Sequence, residues 1–159
     1  MKPTSLGDLQ CSIARALDVV GDWWTPLIVR DAWFGITRFE GFHDRLGIPR
    51  NTLTSRLDKL VARGVLERRP YQEQPARFDY LLTAKGRDLY EVLWSLARWG
   101  DRWEPTTLGP PIQVRHLTCG AVIEPAASCP TCGERLVPAD LQPTPGPGGV
   151  DPAMLPIAG

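Results

Sequence analysis

Nowhere in this 159-residue sequence is there a run approaching the ~18 consecutive apolar residues that a membrane-crossing helix requires. The opening MKPTSLGDLQ also lacks the apolar core of a secretory signal. A cytoplasmic protein without a membrane partner is therefore expected. An excess of one charge is missing too, because 18 Lys and Arg balance 18 Asp and Glu. Bulk charge therefore names no partner, and only its local distribution bears on one. Histidine is scarce: His43 and His116 are the only two, and neither has an evident nucleophile to activate. No glycine-rich phosphate loop occurs. Without these constellations an enzyme is not expected.

What is present is enough apolar material, 43% of residues, to fill a core. Start and stop signals divide residues 12–104 into a mostly helical domain. Ser12 can cap a first helix with Ile13, Ala16, Leu17 and Val20 on one stripe, ended by Gly21. Asp22 opens a second helix, in which Pro26 is tolerable because it falls in the first turn. A short third helix covers about 38–45. A fourth runs from Pro49 to just before Gly64. The period then changes: VLERRPYQ and ARFDYLL alternate in part around EQPA, which predicts a β-hairpin. Thr83 caps a long helix reaching about Glu104, with Leu89, Val92, Leu93, Leu96 and Trp103 on one side. Trp94 and Trp99 fall off that stripe, either at an interface or against the first helix of the same subunit.

The fourth helix has two unlike faces. Leu53, Leu57, Leu60 and Val61 make an anchoring side, opposite Asn51, Thr52 and Ser55, with Arg50 at the entrance and Arg56 on the flank. A short helix, a glycine turn and a second helix with a polar start form a helix-turn-helix, and the hairpin adds a wing. The major groove of double-stranded DNA admits one helix, and Asn, Arg and Thr there can meet adenine, guanine and the thymine methyl. Arg68, Arg69 and Arg77 on the hairpin can meet phosphates. Blander roles exist for the same residues. Asn51 can be a helix cap, Arg56 can pair with a nearby carboxylate, and alternation lets only one of Arg68 and Arg69 face DNA easily.

Residues 11–104 resemble the HxlR-type winged-helix transcriptional regulators, a bacterial branch close to the MarR regulators. The likeness is carried by CSIARALDVVGDWWTPLIVRDAWFG, TRFEGFHDRLGIPRNTLTSRLDKLVARGVLERRPYQ and RFDYLLTAKGRDLYEVLWSLARWGDRW. It implies a homodimer bound to an inverted repeat in a promoter, joined through the first helix and the long helix after the wing. A repressor under redox or small-molecule control is the corresponding expectation. Cys11 stands at the expected N-terminus of the first helix, where the dipole favours the thiolate. The resemblance makes it a possible redox sensor, since some relatives sense oxidants or electrophiles there; a small unreactive buried side chain is the alternative.

Beyond a linker at 105–112 the composition shifts. His116-Leu-Thr-Cys119 and Cys129-Pro-Thr-Cys132 are paired two-residue spacings with nine residues between them, and Gly120 and Gly133 follow. Such spacing lets both members of a pair point inward from one turn, and four N or S ligands close a structural zinc site. Residues 113–138 are therefore expected to form a zinc-ribbon-like module, with a Cys129–Cys132 disulfide or unrelated thiols as the alternatives. A Pro/Gly-rich flexible tail is expected over 139–159. The fold class is mainly α (α+β), a winged helix-turn-helix followed by this module. The competing functions are a protein-interaction adaptor and, less well supported, a zinc-dependent enzyme.

Overall fold

A computed structural model describes residues 12–123 and 128–145. The chain divides into two compact units, one ending at Arg87 and the other beginning at Asp88.

The first unit runs α1 (Ser12–Val20), α2 (Trp24–Trp33), α3 (Phe39–Leu46), α4 (Arg50–Ala62), β1 (Leu66–Gln72), β2 (Arg77–Leu82) and α5 (Ala84–Asp88, whose last residue belongs to the second unit). Asp22 opens α2 as expected: its carboxylate accepts the backbone N–H of Trp24 and of Thr25, each at 3.0 Å, and the Thr25 hydroxyl at 2.6 Å. These bonds satisfy donors that a helix start leaves without partners. Gly47, at φ 62°, and Gly64, at φ 68°, take the left-handed conformation that ends α3 and α4. Between them α4 keeps its apolar period, so Leu53, Leu57 and Leu60 point inward against Ile28, Phe42, Ile48 and Val65, and all seven are fully buried. Burying each such side chain contributes about 1.5–3 kcal/mol. That set is the core on which α4 is seated.

The hairpin forms where the alternation predicts it, with Leu66 opposite Leu82, Arg68 opposite Tyr80 and Arg69 opposite Asp79. A third segment joins it. The Tyr80 N–H donates to the Thr37 carbonyl at 2.7 Å, and Arg38 bridges Asp79. The residue leading into α3 is thus stitched to the base of the wing.

The long helix expected from Thr83 to Glu104 is interrupted. Thr83 does accept the Gly86 N–H at 3.1 Å, as a cap should. However, α5 ends at Asp88 and a separate α6 runs Tyr90–Trp103. Gly86 is pressed against the backbone just before β1, where an added Cβ would lie 2.2 Å from the Val65 carbonyl oxygen. The close approach leaves no room for a side chain at that position.

In the second unit no residue of α6 is fully buried. Val92, Leu96, Trp99 and Trp103 are all exposed, at spacings that place them on one line. Trp99 therefore belongs to that stripe rather than off it, while Trp94 is half-buried with Leu93. Next come β3 (Ile112–His116), β4 (Val122–Ile123), a short 3₁₀ turn at Pro138–Asp140, and β5 (Leu141–Pro145), in an antiparallel sheet of order β4-β3-β5. Residues 141–145, expected in the flexible tail, instead pair along all of β3, from Ile112–Pro145 to His116–Leu141. Proline suits an irregular chain, yet an edge strand tolerates it, because its missing N–H can face away from the ladder. Val114, Ile123, Leu136 and Leu141 form a small apolar centre.

Candidate nucleic-acid interface and metal centre

The polar face of α4 stays clear of the core. Asn51 and Ser55 are exposed and Thr52 is half-exposed, while the three leucines on the opposite side are fully buried. Asn51 is not the cap of α4, a position that falls to Pro49; its side-chain oxygen accepts the Thr52 N–H at 2.9 Å. Its amide NH₂ is directed to no partner among the described residues, which leaves the donor half of an adenine-type contact open.

The arginines are held differently. Arg50 makes a two-pronged pair with Glu40 on α3, at 2.9 and 2.6 Å, and stacks over the Phe39 ring. The Arg50 guanidinium holds the Glu40 carboxyl below its ordinary value. Arg56 donates to Asp22 at 3.0 Å, so one carboxylate both caps α2 and anchors α4. Arg68 pairs with Asp58 and lies over the rings of Phe78 and Tyr80. Arg69 pairs with Glu67 at 3.2 Å. Arg77 is exposed at the start of β2. Arg50, Arg68, Arg69 and Arg77 thus lie at the solvent surface, and Arg56 is half-buried in a structural pair.

Two acids that position this surface carried no distinguishing sequence signal. Asp31 is fully buried on α2 and receives Arg30 at 2.8 Å and Arg45 of α3 at 3.3 Å. A buried carboxylate is tolerable only with such partners, and the pair ties the first helix of the helix-turn-helix to α2. Asp79 takes the Thr37 hydroxyl at 2.9 Å and Arg38 at 3.5 Å, fixing the entry to α3. Arg45 lies 14 positions from Asp31 and Thr37 lies 42 from Asp79, so no short window could have exposed these pairings.

The second site lies entirely within the second unit. Each ligand pair occupies a tight turn: the Gly120 N–H reaches the His116 carbonyl, and the Gly133 N–H reaches the Cys129 carbonyl, both at 2.8 Å. Both glycines are left-handed, at φ 71° and 74°. His116 and Cys129 are buried, Cys119 and Cys132 exposed, and all three thiols are free rather than disulfide-bonded. The four ligand atoms lie within 4.8 Å of one another.

A tetrahedron with zinc–sulfur bonds of about 2.3 Å and a zinc–nitrogen bond of about 2.0–2.1 Å has edges of roughly 3.7 Å between sulfurs and 3.5 Å between sulfur and nitrogen. The Cys119–Cys129 sulfurs are 3.6 Å apart, and His116 Nδ1 stands 3.3 and 3.5 Å from the sulfurs of Cys119 and Cys132. The residues fit such an ion. Hydrogen bonds to the Cys129 sulfur, first from the Cys132 backbone N–H and then from that of Thr131, bring its thiol down to about 6. The thiolate, the form a metal takes, is thereby favoured at that position. Cys11, the possible redox sensor, lies outside the described residues.

Residues 19–107 match the family described as HxlR-like helix-turn-helix. An uncharacterized HTH-type transcriptional regulator of Mycobacterium tuberculosis is 47% identical over 137 residues, covering 86% of this chain and 87% of that protein. The solved structure of PA1607, described as a candidate transcription factor, shares 35% identity with a TM-score of 0.70 and covers 86% of this chain and 96% of its own. The reduced form of the redox regulator HypR shares 29% identity with a TM-score of 0.54, covering 58% of this chain and 92% of its own. A 137-residue match on 159 residues cannot avoid the region of the four ligands, whereas a match to 58% of the chain need not reach it. No described helix is long and apolar enough to cross a membrane.

Proposed function

Since the chain belongs to the HxlR-like helix-turn-helix family and is a transcriptional regulator of that type, we propose that it binds an inverted repeat in promoter DNA as a homodimer. In this reading α4 enters the major groove. Asn51, Thr52 and Ser55 meet base edges, Arg50 exchanges Glu40 for a base or phosphate, and Arg68, Arg69 and Arg77 meet the backbone. Arg56 supports α4 through Asp22 and has at most a flanking contact. The observation that carries the reading is the division of α4, with three leucines wholly buried and a polar face left clear at the second position of the helix-turn-helix.

The dimer rests on apolar surface that the single chain leaves uncovered. Ile13 and Leu17 on α1, and Val92, Leu96, Trp99 and Trp103 on α6, are exposed. Large apolar stripes of this kind mark interfaces. His116, Cys119, Cys129 and Cys132 would hold a structural zinc ion: a closed four-ligand site leaves no position for substrate, and the ion would cross-link the two knuckles. The reading includes no catalytic step. It places the protein in the cytoplasm, with repression as the outcome of promoter binding and oxidants or a small molecule as the controlling signal.

The test is fluorescence anisotropy of the zinc-loaded protein on duplexes from upstream of its own gene and from the genome at large. Two chains per duplex, with selectivity over scrambled competitor and affinity falling steeply with salt, is the expected result. Indifference to every duplex would end the reading and favour a protein-docking role.

A further inference from the structure

The two nitrogens of His116 have opposite surroundings. The ring is fully buried, and Nδ1 faces the sulfurs of Cys119 and Cys132 at 3.3 and 3.5 Å. Nε2 is buried without a hydrogen-bond partner, and the Glu134 carboxylate stands 3.9 Å from it. We propose that His116 engages the metal through Nδ1, and that Glu134 is a positioning residue that accepts the Nε2 proton's hydrogen bond and fixes the metal-binding tautomer. The inference rests on the metal reading above and goes beyond it by assigning the ligand atom and a fifth participating residue.

A neutral imidazole has one N–H and one lone pair. If Nδ1 gives its lone pair to a metal, the proton must sit on Nε2, where burial makes an unmatched donor costly. A carboxylate behind a metal-bound histidine satisfies that donor, holds the ring's orientation and raises its basicity. Glu134 is suitably built for this. Its carbonyl accepts the Cys129 N–H at 2.8 Å, so its backbone is pinned to the second knuckle, while its side chain is about half exposed and can close the remaining ångström.

Charge acts in the same direction. The same carboxylate oxygen lies 3.8 Å from the Cys132 sulfur. Once that sulfur is a metal-bound thiolate it repels the carboxylate and cannot serve as its donor, whereas the Nε2–H can.

The experiment is zinc titration of the full chain against a chromophoric chelator, with ¹⁵N-resolved NMR of the His116 ring. Glu134→Ala should weaken zinc affinity about 10–100-fold, and Glu134→Gln, which keeps a neutral acceptor, should weaken it less. The loaded wild type should show a protonated Nε2 and a metal-shifted Nδ1, with faster Nε2–H exchange in Glu134→Ala. Unchanged affinity in Glu134→Ala, or coordination through Nε2, overturns the inference while leaving the metal site standing. A wild type that takes up no stoichiometric zinc overturns both.

Discussion

The two units of this chain solve the problem of holding a shape in different ways. The unit ending at Arg87 buries Ile28, Phe42, Ile48, Leu53, Leu57, Leu60, Val65 and Leu66 almost completely. The sheet of the second unit rests on far fewer apolar groups: Val114, Ile123, Leu136 and Leu141, with His116 and Cys129 buried among them. A centre that small seldom sustains a fold alone, and small domains commonly add metal cross-links for this reason. The comparison teaches where each unit is vulnerable. The helix-turn-helix unit should fail by losing packing, the appended sheet by losing the ion that its four-residue cluster is proposed to hold.

The sharpest way to break this contrast is to remove one ligand. Cys129→Ser, or chelation of the wild type, should abolish stoichiometric metal binding and expose the backbone amides of β3–β5 to exchange, while protection in α2 and α4 stays unchanged. Hydrogen exchange read by mass spectrometry checks it, and equal loss in both units would show that the two are not separately stabilised. The converse variant is Leu57→Ala, which removes a fully buried side chain. It should cost about 2–5 kcal/mol in denaturant unfolding of the first unit and leave zinc content unaltered.

Within the first unit the proposed contrast is between residues that specify and residues that attract. Asn51→Ala should relax discrimination between operator and mismatched duplex by about 1–3 kcal/mol. Arg69→Ala should weaken all duplexes alike and flatten the salt slope. Binding measured across sequence and salt separates the two, and parallel behaviour would remove the distinction.

The smallest effect concerns Asp22. Burial pushes its carboxyl up, but the Thr25 hydroxyl, the N–H groups of Thr25 and Trp24, and Arg56 together hold it below its ordinary value. A lowered folded pKa adds stability that is complete above the ordinary value of about 4 and is lost as pH falls through the lower folded one. Asp22→Ala should therefore cost about 1 kcal/mol at neutral pH. The difference from wild type should shrink in acid, as thermal melts between neutral pH and pH 2–3 would show.

Much of the first unit was legible because its signals are short. The leucine period of α4, Pro49 before it and Gly64 after it lie within one window and act through local backbone preferences. The clustering of His116, Cys119, Cys129 and Cys132 was legible for the same reason, since two-residue spacing and a following glycine describe one turn. The break before α6 was not, and neither was the close approach of Gly86 to the Val65 carbonyl across the fold. Nor was β5, whose prolines suggest loose chain until the strand it borders is known. Arg50 and Arg56 show the same limit at the site itself: their partners, Glu40 and Asp22, lie 10 and 34 positions away.

What the order of residues determined by itself is therefore periodic and local: a helix with one dry face, a hairpin after it, and two pairs of His or Cys residues each closing on its own turn. Only the tertiary structure decided which carboxylate holds which arginine, which strand completes the appended sheet, and which histidine nitrogen turns toward the sulfurs. The physical reason is distance along the chain. Backbone preferences act over a few residues and leave a pattern there, whereas charge pairing and burial join groups that become neighbours only once the chain has folded.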